Sequence, residues 1–205
     1  MVGSLLERHG RVGIVAHDAG AANHLLAWIE PWMLPRIVPV IAGPARALWE
    51  RRFLGAPTAG LDDLVTCGAV VTGSGWASDL EHAALRRARE RGTLSVAVID
   101  HWVNYRVRFL RAGVLALPDA IWVTDEDALA IARREIPEVP CHIQPNLHLA
   151  EQLRRLRPAG EVDGDRLLYV AEPIRVDWGL AVPGEFAALD FFARSLPALR
   201  LPPGT

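Results

Sequence analysis

Three short stretches hold most of the groups able to do chemistry. In His17-Asp18-Ala19-Gly20, with Asn23 three positions on, an imidazole stands beside a carboxylate. Such a pair can act as a base and its orienter, and the small residues behind it let a substrate approach the backbone. A plainer role for Asp18 is to cap the helix that follows. Gly73-Ser74-Gly75-Trp76-Ala77-Ser78 lacks the lysine of a GxxxxGK[ST] phosphate loop. It partly matches the dinucleotide pattern GxGxxG, with Ser78 in the third place and an acid, Asp100, ending the next strand. The spacing is long and the motif lies mid-chain, so the match is weak, and a tight turn that needs glycine for its dihedrals explains the stretch better. The helix that starts after Ser78 still offers free N–H groups to an anion. The third stretch, Asp100-His101-Trp102-Val103-Asn104-Tyr105-Arg106, is the richest. It combines a potential base, a stacking ring, an amide and a guanidinium. Arg106, Arg108 and Arg111 add a local positive field suited to phosphate or pyrophosphate. A solvated loop with incidental charges is the plain alternative.

The elements around these stretches alternate. Short apolar runs at Val12–Ala16, Ile37–Ala42, Ala69–Thr72, Leu94–Ile99 and Ala120–Val123 predict strands, and Cys141–Gln144 a last short one. Helices are expected at 21–30, stopped by Pro31, from Gly43-Pro44 to near Phe53, and over 79–91. Two more are expected at 125–135, with Thr124 as N-cap, and at 147–156. A strand-helix-strand unit of the length seen between Ala69 and Arg106 makes parallel neighbours with a right-handed crossover. The loops carrying Gly75 and His101 then leave the carboxyl ends of adjacent strands, where open α/β sheets bind ligands. The predicted class is α/β with a mainly parallel sheet. Arg157–Asp165 reads as a linker, followed by a strand at Leu167–Ala171, closed by Glu172-Pro173, and a helix at 185–196. One strand and one helix cannot bury a core alone. This piece is expected to pack on the first domain, on a second copy or on a partner.

The 205 residues suffice for one good core plus a fragment, with 51% apolar and 22% charged residues. A net charge of −2 argues against a nucleic-acid binder driven by bulk electrostatics. Cys67 and Cys141 are far apart and read as reduced core cysteines of a cytoplasmic protein. No signal peptide and no transmembrane run is read, and without HxxxH or CxxC spacing no metal or other cofactor is expected. Seven tryptophans are many for this length. Core packing accounts for most, but Trp76 and Trp102 sit in glycine-rich or polar loops.

The blocks TGSGWASDLEHAALRRARERG, VIDHWVNYRVRF and LPDAIWVTDEDALAIARREIP, in that order, resemble the amino-terminal half of bacterial GT-B-type glycosyltransferase-like proteins of polysaccharide biosynthesis. The likeness spans about Val12 to Leu147. It implies a Rossmann-like, doubly wound amino-terminal domain over residues 1–157, on the acceptor side of a cleft. Residues 158–205 would then be the linker and the start of a second α/β domain, whose remainder is missing. It implies transfer of a sugar from a nucleotide to a phosphorylated glycan or lipid-linked acceptor. His101 and Asp18 are then the expected bases, with Asp100 orienting and Arg106 holding an anion. His17, Gly20, Asn23, Gly73, Ser74, Gly75, Trp76, Asp79, Trp102, Asn104 and Glu172 are expected to line the substrate. A non-catalytic sugar- or nucleotide-binding module, or partner subunit, is the alternative from another class. Nucleotide-sugar epimerisation is a further one.

Overall fold

The computed structural model describes residues 1–156, 168–171 and 182–198. The chain divides into two compact units, Met1–Leu156 and Arg157–Thr205. In the first, the predicted apolar runs form β1 (Val12–Ala16), β2 (Ile37–Ile41), β3 (Ala69–Thr72) and β4 (Leu94–Val98). Two further strands, β5 (Leu110–Arg111) and β6 (Val114–Leu115), make a separate antiparallel ribbon, and β7 (Ala120–Val123) and β8 (Cys141–Ile143) complete the main sheet. All six strands of that sheet are parallel, in the order β2-β1-β3-β4-β7-β8. Among sheet strands this is the doubly wound order 2-1-3-4-5 with a sixth strand added. The strand order reverses between β1 and β3, so the connections leaving those two strands diverge and open a crevice at their carboxyl ends.

The helices are α1 (Val2–His9), α2 (Ala19–Ala27), α3 (Gly43–Arg52), α4 (Leu80–Arg91), α5 (Glu126–Glu135) and α6 (Leu147–Arg155). Strands β1, β2, β3, β4 and β7 are buried on both faces, and alternate side chains feed opposite layers, while the edge strand β8 exposes His142 and Ile143. Ile14, Val71, Val98 and Trp122 pack with α1, α2 and α3. Val15 and Val70 join α4, while Ala97, Ile121 and Val123 join α5. Trp28, Trp49 and Trp122 are core residues. The indole N–H of Trp28 donates to the Pro145 carbonyl at 2.9 Å and that of Trp49 to Ala56 at 3.0 Å. Cys67 and Cys141 are buried and free. No helix among the described residues is long and apolar enough to cross a membrane.

Several expectations need correction. Helix α1 is unforeseen; Val2, Leu5 and Leu6 bury its one apolar stripe, too short a pattern to stand out at a chain start. Helix α2 ends at Ala27 rather than running to Pro31, which instead opens a 3₁₀ segment. The N-cap of α5 is Asp125, not Thr124: its carboxylate accepts from the Ala128 N–H at 2.7 Å, reaching the N3 donor as a capping side chain does. The ribbon turns through Ala112 (φ 48°) and Gly113 (φ 78°), two residues with positive φ as a tight hairpin demands.

In the second unit, α7 (Gly184–Ser195) lies where a helix was expected, and Tyr169 stacks on Phe192 with ring centroids 4.4 Å apart. Residues 168–171 form no strand, because no strand among the described residues pairs with them. The predicted linker, Leu167 and Glu172 lie outside the described residues.

Candidate functional site

The loops after β1, β3 and β4 meet at the carboxyl edge of the sheet, and two glycines let them do so. A Cβ on Gly20 would collide with the Asp100 carboxylate, and one on Gly75 with that of Asp18. The first residues of α2 and the glycine loop thus sit directly against the acids of neighbouring loops. Asp18 occupies the N-cap position of α2, yet its side chain caps no N–H. It accepts instead from His17 Nδ1 at 2.8 Å. The His17 N–H donates to Glu81 Oε1 at 2.7 Å, and the His17 ring packs against Gly43 at the start of α3.

Arg108 ties the glycine loop to the loop after β4. It is 8% exposed, donates from Nη1 to the Ser74 carbonyl at 3.3 Å and from Nε to the Val103 carbonyl at 3.2 Å. Its guanidinium stands 3.8 Å from Asp100 and 5.1 Å from the centroid of the Trp76 ring. Burial pulls its pKa down, and Asp100 pulls it back up. Arg111 fastens the same loop from outside, donating to the Gly75 carbonyl at 2.8 Å beside Asp79. The region around the β1/β3 crevice is therefore filled by its own charges. It also strands polar atoms: Glu81 Oε2, Ser74 Oγ and Thr72 Oγ1 are buried without a partner. Burial raises the Glu81 pKa above the ordinary carboxylate range, against the His17 N–H that lowers it.

Open space lies one step along the edge. A cavity of about 440 Å³ is bounded by the loops after β4, β7 and β8 and by α2. Asp100, His101, Trp102, Asp125, Asp127 and Asn146 supply its polar wall, with His24 beside them. The Trp102 ring is 55% exposed, and its indole N–H donates to Asp125 Oδ1 at 3.1 Å, which fixes the ring at the mouth. Asn146 is itself fixed, accepting from the Leu149 N–H at 2.9 Å as N-cap of α6. Burial lowers the His24 pKa, and its Nδ1 is buried and unpartnered. Its surroundings therefore favour the neutral imidazole over the charged one. Among the described residues, three carboxylates and no lysine or arginine line the cavity. Such a wall offers hydrogen-bond acceptors to hydroxyl groups and repels a bare phosphate.

His17, Asp18, Gly20, Gly73, Ser74, Gly75, Trp76, Asp79 and Asp100 gather at this edge, and His101, Trp102 and Asp100 reach the cavity. Asn23 lines a different cavity, beside α3 and α6. Asn104 is exposed with φ 61° and turns the chain, its carbonyl accepting from the Arg108 N–H. Arg106, the expected anion holder, turns away to pair with Glu138 on the surface. Arg108, two residues on, is the buried cation. Asp100 does not orient His101: it faces Arg108, while His101 Nδ1 accepts from the Trp102 N–H at 3.0 Å. In that hydrogen-bond arrangement a neutral His101 carries its proton on Nε2 and is a donor, not a base. His24, Asp125, Asp127 and Asn146 were not foreseen. Asp125 and Asn146 carry a readable signal, since both are capping residues right after strands, the positions that face the carboxyl edge. Among the described residues no group of three or more His, Cys, Asp or Glu side chains is placed to hold a metal ion. No family model, curated protein or solved structure matches the chain.

Proposed function

We propose that this chain is a carbohydrate-handling protein of the glycosyltransferase-like kind, and that the 440 Å³ cavity receives the acceptor sugar. The observation that carries the reading is the composition of that wall: fixed acceptors at Asp100, Asp125 and Asn146 beside the open face of Trp102. A sugar ring has hydroxyls for the acceptors and an apolar face for the indole. In the reaction, Asp100 takes the proton of an acceptor hydroxyl. The freed oxygen attacks the anomeric carbon of the donor sugar. The bond to the nucleotide phosphate breaks, and the phosphate leaves with the electron pair. Arg108, 3.8 Å behind Asp100, positions that carboxylate. His101 donates from Nε2 to a substrate oxygen.

A binding module without catalysis is favoured by one specific feature. Among the described residues the one imidazole–carboxylate couple at this edge, His17–Asp18, packs against Gly43 and does not line the cavity. Isothermal titration and a transfer assay separate these readings. Neutral sugars and nucleotide-sugars are titrated into wild type and Trp102→Ala, and turnover is followed with the ligands that bind. Saturable sugar binding weakened by Trp102→Ala supports the sugar site, and loss of turnover in Asp100→Asn with binding retained supports the enzyme. Binding without turnover in the wild type supports the module. If no sugar or nucleotide-sugar binds at millimolar concentration, or if Trp102→Ala binds unchanged, the reading fails.

A further inference from the structure

We propose a second binding site, for a phosphate or diphosphate group, in the cavity enclosed by α2, α3 and α6. This cavity, of about 180 Å³, is lined by Asn23, Arg51, Arg52, His148, Gln152 and Arg155 among others. Its charge is opposite to that of the cavity on the sheet edge. Three guanidinium groups face a single carboxylate, Glu151. That carboxylate is already engaged: Arg52 grips it with both terminal nitrogens, at 2.9 and 2.8 Å. The fork fixes Arg52 in place, and no carboxylate of the described residues lies within ion-pair distance of Arg51 or Arg155. Arginines in the last turns of α3 and α6 suit the helix dipoles, but that alone does not require them to share one concavity with two amides and an imidazole. Like charges held together in a cleft focus a positive potential and concentrate an anion there. Guanidinium forks with amide donors alongside match the several oxygens of a phosphoryl group.

A pair of imidazoles stands between the two cavities. His24 lines the first and His148 the second, with ring centroids 6.1 Å apart at 78°. A ligand reaching past this pair places hydroxyls on the acidic wall and a phosphoryl group among the arginines. The ligand class is therefore a sugar carrying a phosphate or diphosphate ester. The sugar end rests on the function proposed above; the anion site does not.

Inorganic pyrophosphate at low ionic strength is the first probe, by isothermal titration. Saturable binding is expected, weakened tenfold or more in Arg51→Ala/Arg155→Ala and unchanged in Arg46→Ala, which removes a cation from the exposed Arg46–Glu50 pair of the same helix. Melting curves check folding. If the double variant melts early, Arg51→Gln alone replaces it and is read by the same criterion. A sugar 1-phosphate is the second probe, expected to bind more tightly than pyrophosphate and to lose that gain in Trp102→Ala. Co-sedimentation with phosphatidic-acid vesicles, abolished by the double variant, would assign the phosphoryl group to a lipid headgroup; binding of soluble esters alone assigns it to a soluble ligand. No saturable pyrophosphate binding, or equal weakening by Arg46→Ala, overturns the anion site. Pyrophosphate binding without any gain from the sugar leaves the anion site standing and overturns the sugar reading.

Discussion

The loops after β1 and β3 leave the same edge of the sheet as the loops after β4, β7 and β8, yet the two regions end in opposite states. At the β1/β3 crevice the charges answer one another: His17 with Asp18, the His17 N–H with Glu81, Arg108 with Asp100 and the Ser74 carbonyl. At the neighbouring mouth, Asp125, Asp127, Asn146 and Trp102 surround open space. The topological reversal that usually marks the ligand crevice of such a sheet is here packed shut by side chains, and the vacancy is displaced toward β4 and β7. Density of reactive residue types is thus a poor guide to where a ligand fits. Those residues also satisfy each other, and a site requires groups that the fold holds in place without using up.

The comparison breaks most visibly at Arg108. Arg108→Ala leaves Asp100 without its cation and the Ser74 and Val103 carbonyls without their donor, in a nearly buried setting. Breaking such a pair from one side costs about 3–5 kcal/mol, and the partial exposure of Asp100 places the expected loss near the lower figure. Urea denaturation measures it. Arg106→Ala, which removes a surface pair with Glu138, is the control and should barely move the midpoint. Equal losses in the two variants would mean that the crevice is not held by its buried cation. At the open mouth the effects should reverse in kind. Trp102→Ala should leave stability within about 0.5 kcal/mol of wild type, because the ring is exposed and the Asp125 cap remains. Its effect should appear in sugar affinity, roughly tenfold or about 1.4 kcal/mol, read by titration calorimetry.

The same contrast explains what could be read in advance. Runs such as VGIVA and AVVT are too apolar to face water on either side, and they are central parallel strands. The alternation of such runs with helical stretches carried the class of the sheet and the edge its loops would share. The pairing of side chains on that edge was not legible. Arg106 and Arg108 look alike in sequence, and only the 3₁₀ turn Arg106–Phe109 sends one outward to Glu138 and the other inward beneath Trp76. His24 reads as an ordinary residue of a mostly apolar helix. Its place at a cavity depends on the α6 loop folding across α2, a long-range fact with no local pattern.

A smaller effect, in the pH dependence of stability, tests how tightly the crevice is closed. Burial raises the Glu81 pKa, so the native chain binds this proton more strongly than the unfolded chain does. The stability it supplies is fully present below the ordinary glutamate range and is lost as pH rises through the raised native value. Glu81→Gln keeps an acceptor for the His17 N–H and cannot ionise. Its stability relative to wild type should therefore increase across that window and level off above it, in melting curves taken at a series of pH values. A variant that instead loses ground as pH rises would show that ionised Glu81 has a favourable partner, and that the crevice admits water or a cation.

The smallest expected effect is at Tyr105, whose ring is 1% exposed and whose hydroxyl is buried with no partner. Burial, with the Asp125 charge next in weight, pushes its pKa up to about 12, so the phenol stays protonated in any ordinary buffer. A buried hydroxyl that bonds to nothing has lost its water and gained no replacement, a cost of about 1–3 kcal/mol for a polar group. Tyr105→Phe removes that cost and keeps the ring packed with Phe109 and Ile121 in the α5 layer. The expected outcome is a gain of up to about 1 kcal/mol in urea, since the vacated position is not refilled. A loss of similar size would mean that the hydroxyl holds a water reaching in from the cavity. The closed and open regions would then be joined by solvent, and the boundary drawn between them would move inward to Tyr105.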